Sequence, residues 1–589
     1  MVPAIRSICS AWWGVDLSAN LAIDVSPVRQ SKSLDVCCQA LRWIPIAILV
    51  ALCVPYAANA AARPRLIVLV SVDQFRQDYL TRFRANFAET GLFRLVEKSG
   101  ASYPECRNRH AYTYTGPGHA AMMTGCSPNG NGIIANAWLD RATNQMMNCV
   151  EDPNVHPVGC ESKDRRSARL LLTETVGDRW KAATSGKGKV FGLAIKDRAS
   201  ILMAGHKADA AFWMDGDFWV TSSAYLQELP RYLQVLNDEK KLDQFAGQTW
   251  NLLLPASKYV NNGPDENDWE DPPEHLDSDF PHEMSDSKSK GEDANDLFEH
   301  VYDSPFGNDY TLLAAEEMIR NEHLGGDKVP DIACIGLSSN DAVGHHFGPD
   351  SYEVEDMVYR TDLQLGDFCR FLDQEVGRGK WTLIFTSDHG VAPIPIVAEK
   401  QGKKTVSDPL PVDKVQEQLE KELCSQMHVE PSDSDHLIQR VEDYQIYLNY
   451  GHPALAGENL KNARRIARDW VVQQPHVALA MSVEDLVVKS SEPLHQALQK
   501  SFCAGRSGDV LWVLDPYCLP RKSKKGTTHG SPYDYDTHVP LLLIGAGIRP
   551  GSFARAVSPS CIASTVARLL RIDPPAGNVE DPLAEALAK

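Results

Sequence analysis

Three short apolar runs each drive straight into metal-ligand chemistry. RLIVLVSVD starts at Arg65 and ends in Asp73; IACIGLSSND starts at Ile332 and ends in Asp341, with His345 four residues on; WTLIFTSDHG starts at Trp381 and delivers Asp388 and His389. Each run is too continuously aliphatic and β-branched to be a strand with one wet face, so each reads as a buried parallel strand. In open α/β sheets, ligands gather beyond the carboxyl ends of the strands. Acids and imidazoles placed there from several strands converge on one rim. A single Asp closing a strand is ordinarily a turn residue or the N-cap of the next helix. Three such ends, with Asp341 and His345 at one-turn spacing, fit a divalent metal centre better, and the Asp/His mixture suits a borderline ion such as zinc.

Between the first two of these strands lies RHAYTYTGPGHAAMMTG, Arg109 to Gly125. Gly116-Pro117-Gly118 breaks the chain, and the residues from His119 read as the first turns of a helix with Pro117 near its start. Thr115 then sits at a helix N-terminus, where free N–H groups and the positive dipole end attract phosphate. A metal can lower the pKa of its hydroxyl and make it a nucleophile; the competing reading is a plain Thr N-cap. KVFGLAIKDR, from Lys189, reads as a further buried strand carrying Lys196 and Arg198 at its end. On an extended segment two residues apart share a face, so the two cations can clamp a phosphoryl oxygen; otherwise they are solvated charges flanking Asp197. Asn136, after the apolar run of NGIIANAWLD, offers an amide donor to a substrate oxygen, or simply a turn.

These strings, in this order, resemble the alkaline phosphatase superfamily: VDQFRQDYL, TYTGPGHAAMMTG, NGIIANAWLD, IKDRASILMAGH, SSNDAVGHHFGP, TSDHGVAP and THGSPYDYDTHVP. Within it the chain is most similar to the bacterial secreted alkaline phosphatases with a Thr nucleophile, the phosphate-irrepressible type, and is related to nucleotide pyrophosphatases/phosphodiesterases. The likeness runs from about Arg65 to near the C-terminus. It implies an α/β core with a mainly parallel central sheet flanked by helices, plus inserted cap segments. It also implies two zinc ions. One would be held by Asp73, Asp388, His389 and the Thr115 oxygen, the other by Asp341, His345 and a histidine of THGSPYDYDTHVP. That last ligand is His529 or His538, and the resemblance favours His529, whose distance to the following strand is similar to that in the diesterase branch. Asn136, Lys196 and Arg198 match residues that contact the transferred phosphoryl group. The implied reaction is hydrolysis of small phosphate monoesters at alkaline pH through a phospho-Thr intermediate. The alternatives are a phosphodiesterase or nucleotide pyrophosphatase on the same scaffold, or a non-catalytic metal- or phosphate-binding relative.

The rest of the chain is consistent with that expectation. With 589 residues, 43% hydrophobic and 23% charged, it is long enough for a large core with insertions. A net charge of −19 argues against a nucleic-acid backbone binder, which needs a basic face. RWIPIAILVALCVPYAANAA reads as an export signal with a small-residue cut after Ala60, predicting a periplasmic or secreted protein without a stable membrane span after processing. Four of the 14 cysteines, Cys9, Cys37, Cys38 and Cys53, precede that cut. The remainder suit disulfides in an oxidising compartment, with Cys149 and Cys160 close enough to bridge a loop. Strands are expected near 65–73, 189–196, 331–338, 381–387 and 539–545. The expected organisation is an extension and signal over 1–60, then a catalytic domain over 61–589 with insertions at about 205–325 and 400–518. The polar, acidic stretch from Asn261 to Asp296 reads as a mobile surface excursion, and the aromatics from Phe212 either roof the site or pack in the core.

Overall fold

Every residue of Leu66–Val72 is buried, as a run of Leu, Ile and Val without polar alternation demands. The computed structural model describes residues 63–588 except 262–263, 286–295, 409 and 521–522. The export signal and its cut therefore lie outside the described residues. The main sheet contains, in chain order, β1 (Leu66–Val72), β2 (Ala101–Ser102), β3 (Pro157–Val158), β4 (Val190–Ala194), β5 (Ala210–Asp215), β6 (Phe218–Ser222), β7 (Asp331–Leu337), β8 (Trp381–Thr386), β9 (Leu541–Gly545) and β10 (Gly551–Ser552). Their spatial order is β10-β2-β9-β8-β1-β7-β4-β5-β6-β3. The five strands β8-β1-β7-β4-β5 are parallel, and antiparallel neighbours β9 and β6 flank them. All five strand regions expected from the sequence lie in this sheet.

The alternation along β1 splits the core in two. Leu66, Val68, Val70 and Val72 enter one apolar cluster with Phe75, Phe93, Phe385 and Met318. Ile67 and Leu69 enter a second with Ile332, Ile384, Leu541 and Val566. Both sheet faces are thus covered, which is the condition a parallel sheet needs. The parallel strands then leave their carboxyl ends on one rim, from which α1 (Thr115–Thr124), α2 (Asp197–Ala204), α3 (Ser339–Phe347) and α4 (Tyr352–Leu372) are built.

Several expectations are corrected here. Residues 210–222 are not cap: β5 and β6 extend the main sheet, and Phe212, Trp213 and Trp219 are buried core side chains rather than a roof. The acidic stretch is anchored over its described residues. Thr249–Trp250 pairs with His282–Glu283, the Asp271 amide donates to the His346 carbonyl, and Glu270 is buried. The ten cysteines of the described chain are free thiols. Cys149 and Cys160 do not pair, because β3, at the edge of the sheet, is pinned to β6 and carries Cys160 to Asp215, 3.7 Å from its Oδ2. Residues 412–514 form their own antiparallel sheet, in the order Ile438–Glu442, Gln445–Leu448, Val510–Leu514, Val477–Ser482. With the helices Val412–Met427 and Glu458–Val472 it closes a separate core around Leu419, Ile446, Ile466 and Trp512.

Candidate metal centre

The chain places its acids immediately beyond strand ends. Asp73 follows β1, and its amide donates to the Leu337 carbonyl at 3.0 Å, tying that end to β7. β7 runs into α3, where Asp341 and His345 stand one turn apart with Nε2 and Oδ1 3.3 Å from each other. β8 is followed by Asp388 and His389. Two groups of donors result, each with its ligand atoms within 4.8 Å of one another: Asp341, His345 and His529, and Asp73, His119 and Asp388. His529 Nε2 is 3.6 Å from Asp341 Oδ1. His389 lies between the groups, its Nε2 3.2 Å from Asp388 Oδ2 and its ring stacked on His529 with centroids 3.6 Å apart. His538 is elsewhere, with Nε2 2.6 Å from the Pro104 carbonyl.

One rule governs these imidazoles. The Nδ1 atoms of His345, His389, His529 and His119 lie 2.7–3.0 Å from the backbone carbonyls of Thr527, Gly390, Thr113 and Thr115. A carbonyl only accepts, so each Nδ1 carries the proton and each Nε2 keeps its lone pair. The Nε2 atoms of His119 and His389, both Asp73 carboxylate oxygens and Asp388 Oδ2 are buried without hydrogen-bond partners. Buried acceptors facing one another are costly unless a cation sits among them. The donor set and its orphaned atoms therefore fit divalent metal ions of the zinc class.

The electrostatics agree. Burial, then the neighbouring Asp388, pushes the Asp73 carboxyl up; burial also raises Asp388. Burial opposes ionisation of Asp341 as well, but Lys196 and the adjacent imidazoles overcome it and hold that carboxyl well below the usual range. Burial depresses His389 to about 4 and His529 well below its ordinary value, so both rings stay neutral. Lys196 Nζ lies 2.8 Å from Asp73 Oδ2 and 2.5 Å from Asp341 Oδ2, spanning both groups.

The phosphoryl-contact candidates take positions the period-two argument did not foresee. β4 ends at Ala194, so Lys196 is the N-cap of α2 and Arg198 lies in its first turn. They share a rim because a helix starts there, not because the strand continues. Arg198 points Nη1 toward Asp197, 3.7 Å away, and its Nε is buried without a partner. Thr115 is the first residue of α1 and is buried. The Gly116 amide donates to Asn136 Oδ1 at 2.8 Å, which leaves the Asn136 amide hydrogens turned away from that bond. A Cβ on Gly118 would meet the Asp388 carbonyl oxygen at 2.6 Å, so glycine there lets α1 sit directly on the end of β8.

Three residues of the site went unread in the sequence. His119, 3.4 Å from both Asp73 and Asp388, carries the detectable signal of standing one helical turn beyond Thr115. Gln74 adopts a positive φ of 63°, donates from Nε2 to Asp341 Oδ1 at 2.7 Å and from its amide to Asp388 Oδ1 at 3.1 Å, so it joins the two groups. Tyr302 lies in the field of Lys196, Asp341, Asp73 and Arg198, and burial raises its phenol.

Comparison with known proteins identifies the family and the fold. Residues 67–537 match the type I phosphodiesterase / nucleotide pyrophosphatase family model. A protein of Myroides odoratus named calcium-transporting ATPase is 35% identical over 542 residues, covering 90% of this chain and 96% of that one. Alkaline phosphatase PafA of Elizabethkingia meningoseptica is 34% identical over 541 residues, covering 90% and 96%. The crystal structure of wild-type alkaline phosphatase PafA superposes with a TM-score of 0.81 at 32% identity, covering 90% of this chain and all of that one.

Proposed function

We propose, for a chain that belongs to the type I phosphodiesterase / nucleotide pyrophosphatase family within the alkaline phosphatase superfamily, hydrolysis of phosphate monoesters at alkaline pH with Thr115 as nucleophile. The observation that carries this reading is the placement of Lys196 and Arg198 beside the two acid–imidazole groups. A monoester presents a dianion with three non-bridging oxygens, and buried cations offer it charge-assisted hydrogen bonds. A diester carries one charge fewer and an alkyl group in the same space.

Asp73, Asp388, His389 and the Thr115 oxygen would hold one zinc ion, with His119 close behind; Asp341, His345 and His529 would hold the other. When bound, the ions supply the positive charge that lowers the pKa of the Thr115 hydroxyl and offsets charge on the leaving oxygen. Thr115 attacks phosphorus, the P–O bond to the alcohol breaks, and the phosphoryl group rests on Thr115. Water then attacks the phospho-Thr, releasing inorganic phosphate and restoring the hydroxyl. The N-terminus of α1 presents backbone N–H groups toward the phosphoryl oxygens. Asn136, held by the Gly116 amide, donates to one oxygen, and Lys196 and Arg198 neutralise the others. Because a loose phosphoryl transition state asks mainly for positioning and charge, these fixed donors account for most of the rate.

Paired rates on an aryl phosphate monoester and its diester, each with and without chelator, test the reading. A monoester preference lost in chelator and restored by zinc is expected. A diester preference transfers the assignment to the pyrophosphatase/phosphodiesterase branch.

A further inference from the structure

Gln74 follows Asp73 beyond the end of β1 and is 2% exposed. Its φ of 63° lies in the left-handed region that side chains seldom adopt, so its surroundings must hold it there. Its side-chain nitrogen meets two acceptors of one residue, Asp341 Oδ1 at 2.7 Å and the Asp341 carbonyl at 3.3 Å. Two acceptors on that side require the NH₂ end of the amide to face them. The oxygen end lies against α3. A Cβ built on Gly344 would stand 1.8 Å from Gln74 Oε1, so glycine at that point of the helix is the room the amide occupies.

These contacts select one oxygen on each acid. Asp388 Oδ1 accepts from the amides of Gln74 and His389, at 3.1 and 2.9 Å, and from the Ser387 hydroxyl. That leaves Oδ2 as the buried, unpartnered oxygen, 3.2 Å from His389 Nε2. At Asp341 the ammonium of Lys196 takes Oδ2. Oδ1 faces Gln74 Nε2 and also the Nε2 atoms of His345 and His529, 3.3 and 3.6 Å away. Both of those imidazole nitrogens carry lone pairs, because their Nδ1 protons are committed to backbone carbonyls. A carboxylate oxygen has more than one acceptor direction. Gln74 fills one and leaves another aimed between the two imidazoles. Lys196 alone would hold Asp341 by a single oxygen and let the carboxylate swing; the second contact removes that freedom.

We propose that Gln74 is a positioning residue with divided duties: its backbone N–H orients Asp388 and its side chain orients Asp341. The affinity of the Asp341, His345 and His529 group for a zinc-class ion then depends on the Gln74 side chain, and that of the Asp73, Asp388 and His389 group does not. The inference rests on the assignment of divalent ions to these two groups. Partners that hydrogen-bond metal ligands from behind typically set metal affinity by about 10–100-fold.

Two variants reach the side chain from opposite directions. Gln74→Gly deletes it, keeps the N–H on Asp388, and suits the positive φ. Gly344→Ala puts a methyl where Oε1 lies and displaces the amide, while alanine is the better helix former. Each is stripped of metal and titrated with zinc against a competing chelator, beside wild type and His529→Ala. Wild type should bind two ions and His529→Ala one. Gln74→Gly and Gly344→Ala should each weaken one of the two sites by about 10–100-fold. Gln74→Gly added to His529→Ala should leave the remaining site as it was, whereas a general loosening of the fold would weaken that site too. Unchanged zinc affinities in Gln74→Gly or in Gly344→Ala, or a further loss in the double variant, overturns the proposal. Where Gln74→Gly fails to fold, Gly344→Ala decides. Equal zinc content in wild type and His529→Ala would instead remove the ion assigned to that group, and the premise with it.

Discussion

Lys196→Met is the sharpest perturbation of the site, because it deletes a charge while keeping the length of the stem. In the protein stripped of metal, three buried carboxylates, Asp73, Asp341 and Asp388, face Lys196, the His389 and His529 rings that burial keeps neutral, and His345, which burial opposes but Asp341 raises above its ordinary value. Lys196 is within 2.8 Å of two of those acids and is itself buried, so solvent screens little of the interaction. Removing one partner of a buried ion pair typically costs about 3–5 kcal/mol, mostly from the charge left behind. In excess chelator, Lys196→Met should therefore melt well below wild type. With saturating zinc the ions supply the missing positive charge, and the gap should shrink. A carboxylate left unpaired takes up a proton instead, so the loss in chelator should also diminish as the pH is lowered. Thermal unfolding followed by circular dichroism, in chelator and in zinc, measures all of this. An equal loss in both conditions, or none in chelator, would refute the reasoning and reduce Lys196 to a substrate contact.

Thr115→Ala should lower turnover by several orders of magnitude with zinc content preserved, and Thr115→Ser should keep part of it; near-normal rates in Thr115→Ala would remove the phospho-Thr intermediate. Lys196→Ala combined with Arg198→Ala should cost monoester turnover on the order of a hundredfold or more and diester turnover far less; equal losses would make the pair general binders. His206→Gln tests a pH effect away from the site. The Asp178 hydrogen bond raises His206 above its ordinary 6.5, so this stabilisation is complete below 6.5 and fades as pH rises through the raised value. The stability gap between wild type and variant, no more than about 1 kcal/mol after solvent screening, should close at alkaline pH; a gap that widens there would reverse the assignment. N-terminal sequencing of the exported protein should begin at Ala61, whereas a membrane-bound chain retaining Ile46 would count against the cut.

The strand ends were legible because burial on both faces leaves a plain mark, an unbroken aliphatic run, and because an acid directly after such a run has few other uses. Asp73, Asp341, Asp388 and the one-turn partner His345 followed from that alone. Lys196 and Arg198 reach the rim by a route the sequence did not show, since the strand-to-helix change after Ala194 has no signature in KVFGLAIKDR. Gln74 left no trace: its role depends on a left-handed backbone and on the room Gly344 leaves for its side chain, since a Cβ at Gly344 would strike the Gln74 Oε1. The cysteines misled because composition counts thiols but not where strands carry them.

The independent core of residues 412–514 bears on how the site comes into being. β8 and β9 lie side by side, yet the chain leaves β8, makes that whole unit, and only then returns to β9. Closing a structureless loop of such length costs conformational entropy, and a module that folds on its own nucleus draws the two ends together first. His389 is translated before the module and His529 after it, but their rings stack in the finished protein. Assembly of the donor groups is then expected to depend kinetically on side chains such as Leu419 and Trp512, which pack in the core of that segment. A cavity there should slow the appearance of activity during refolding more than it alters the activity finally reached.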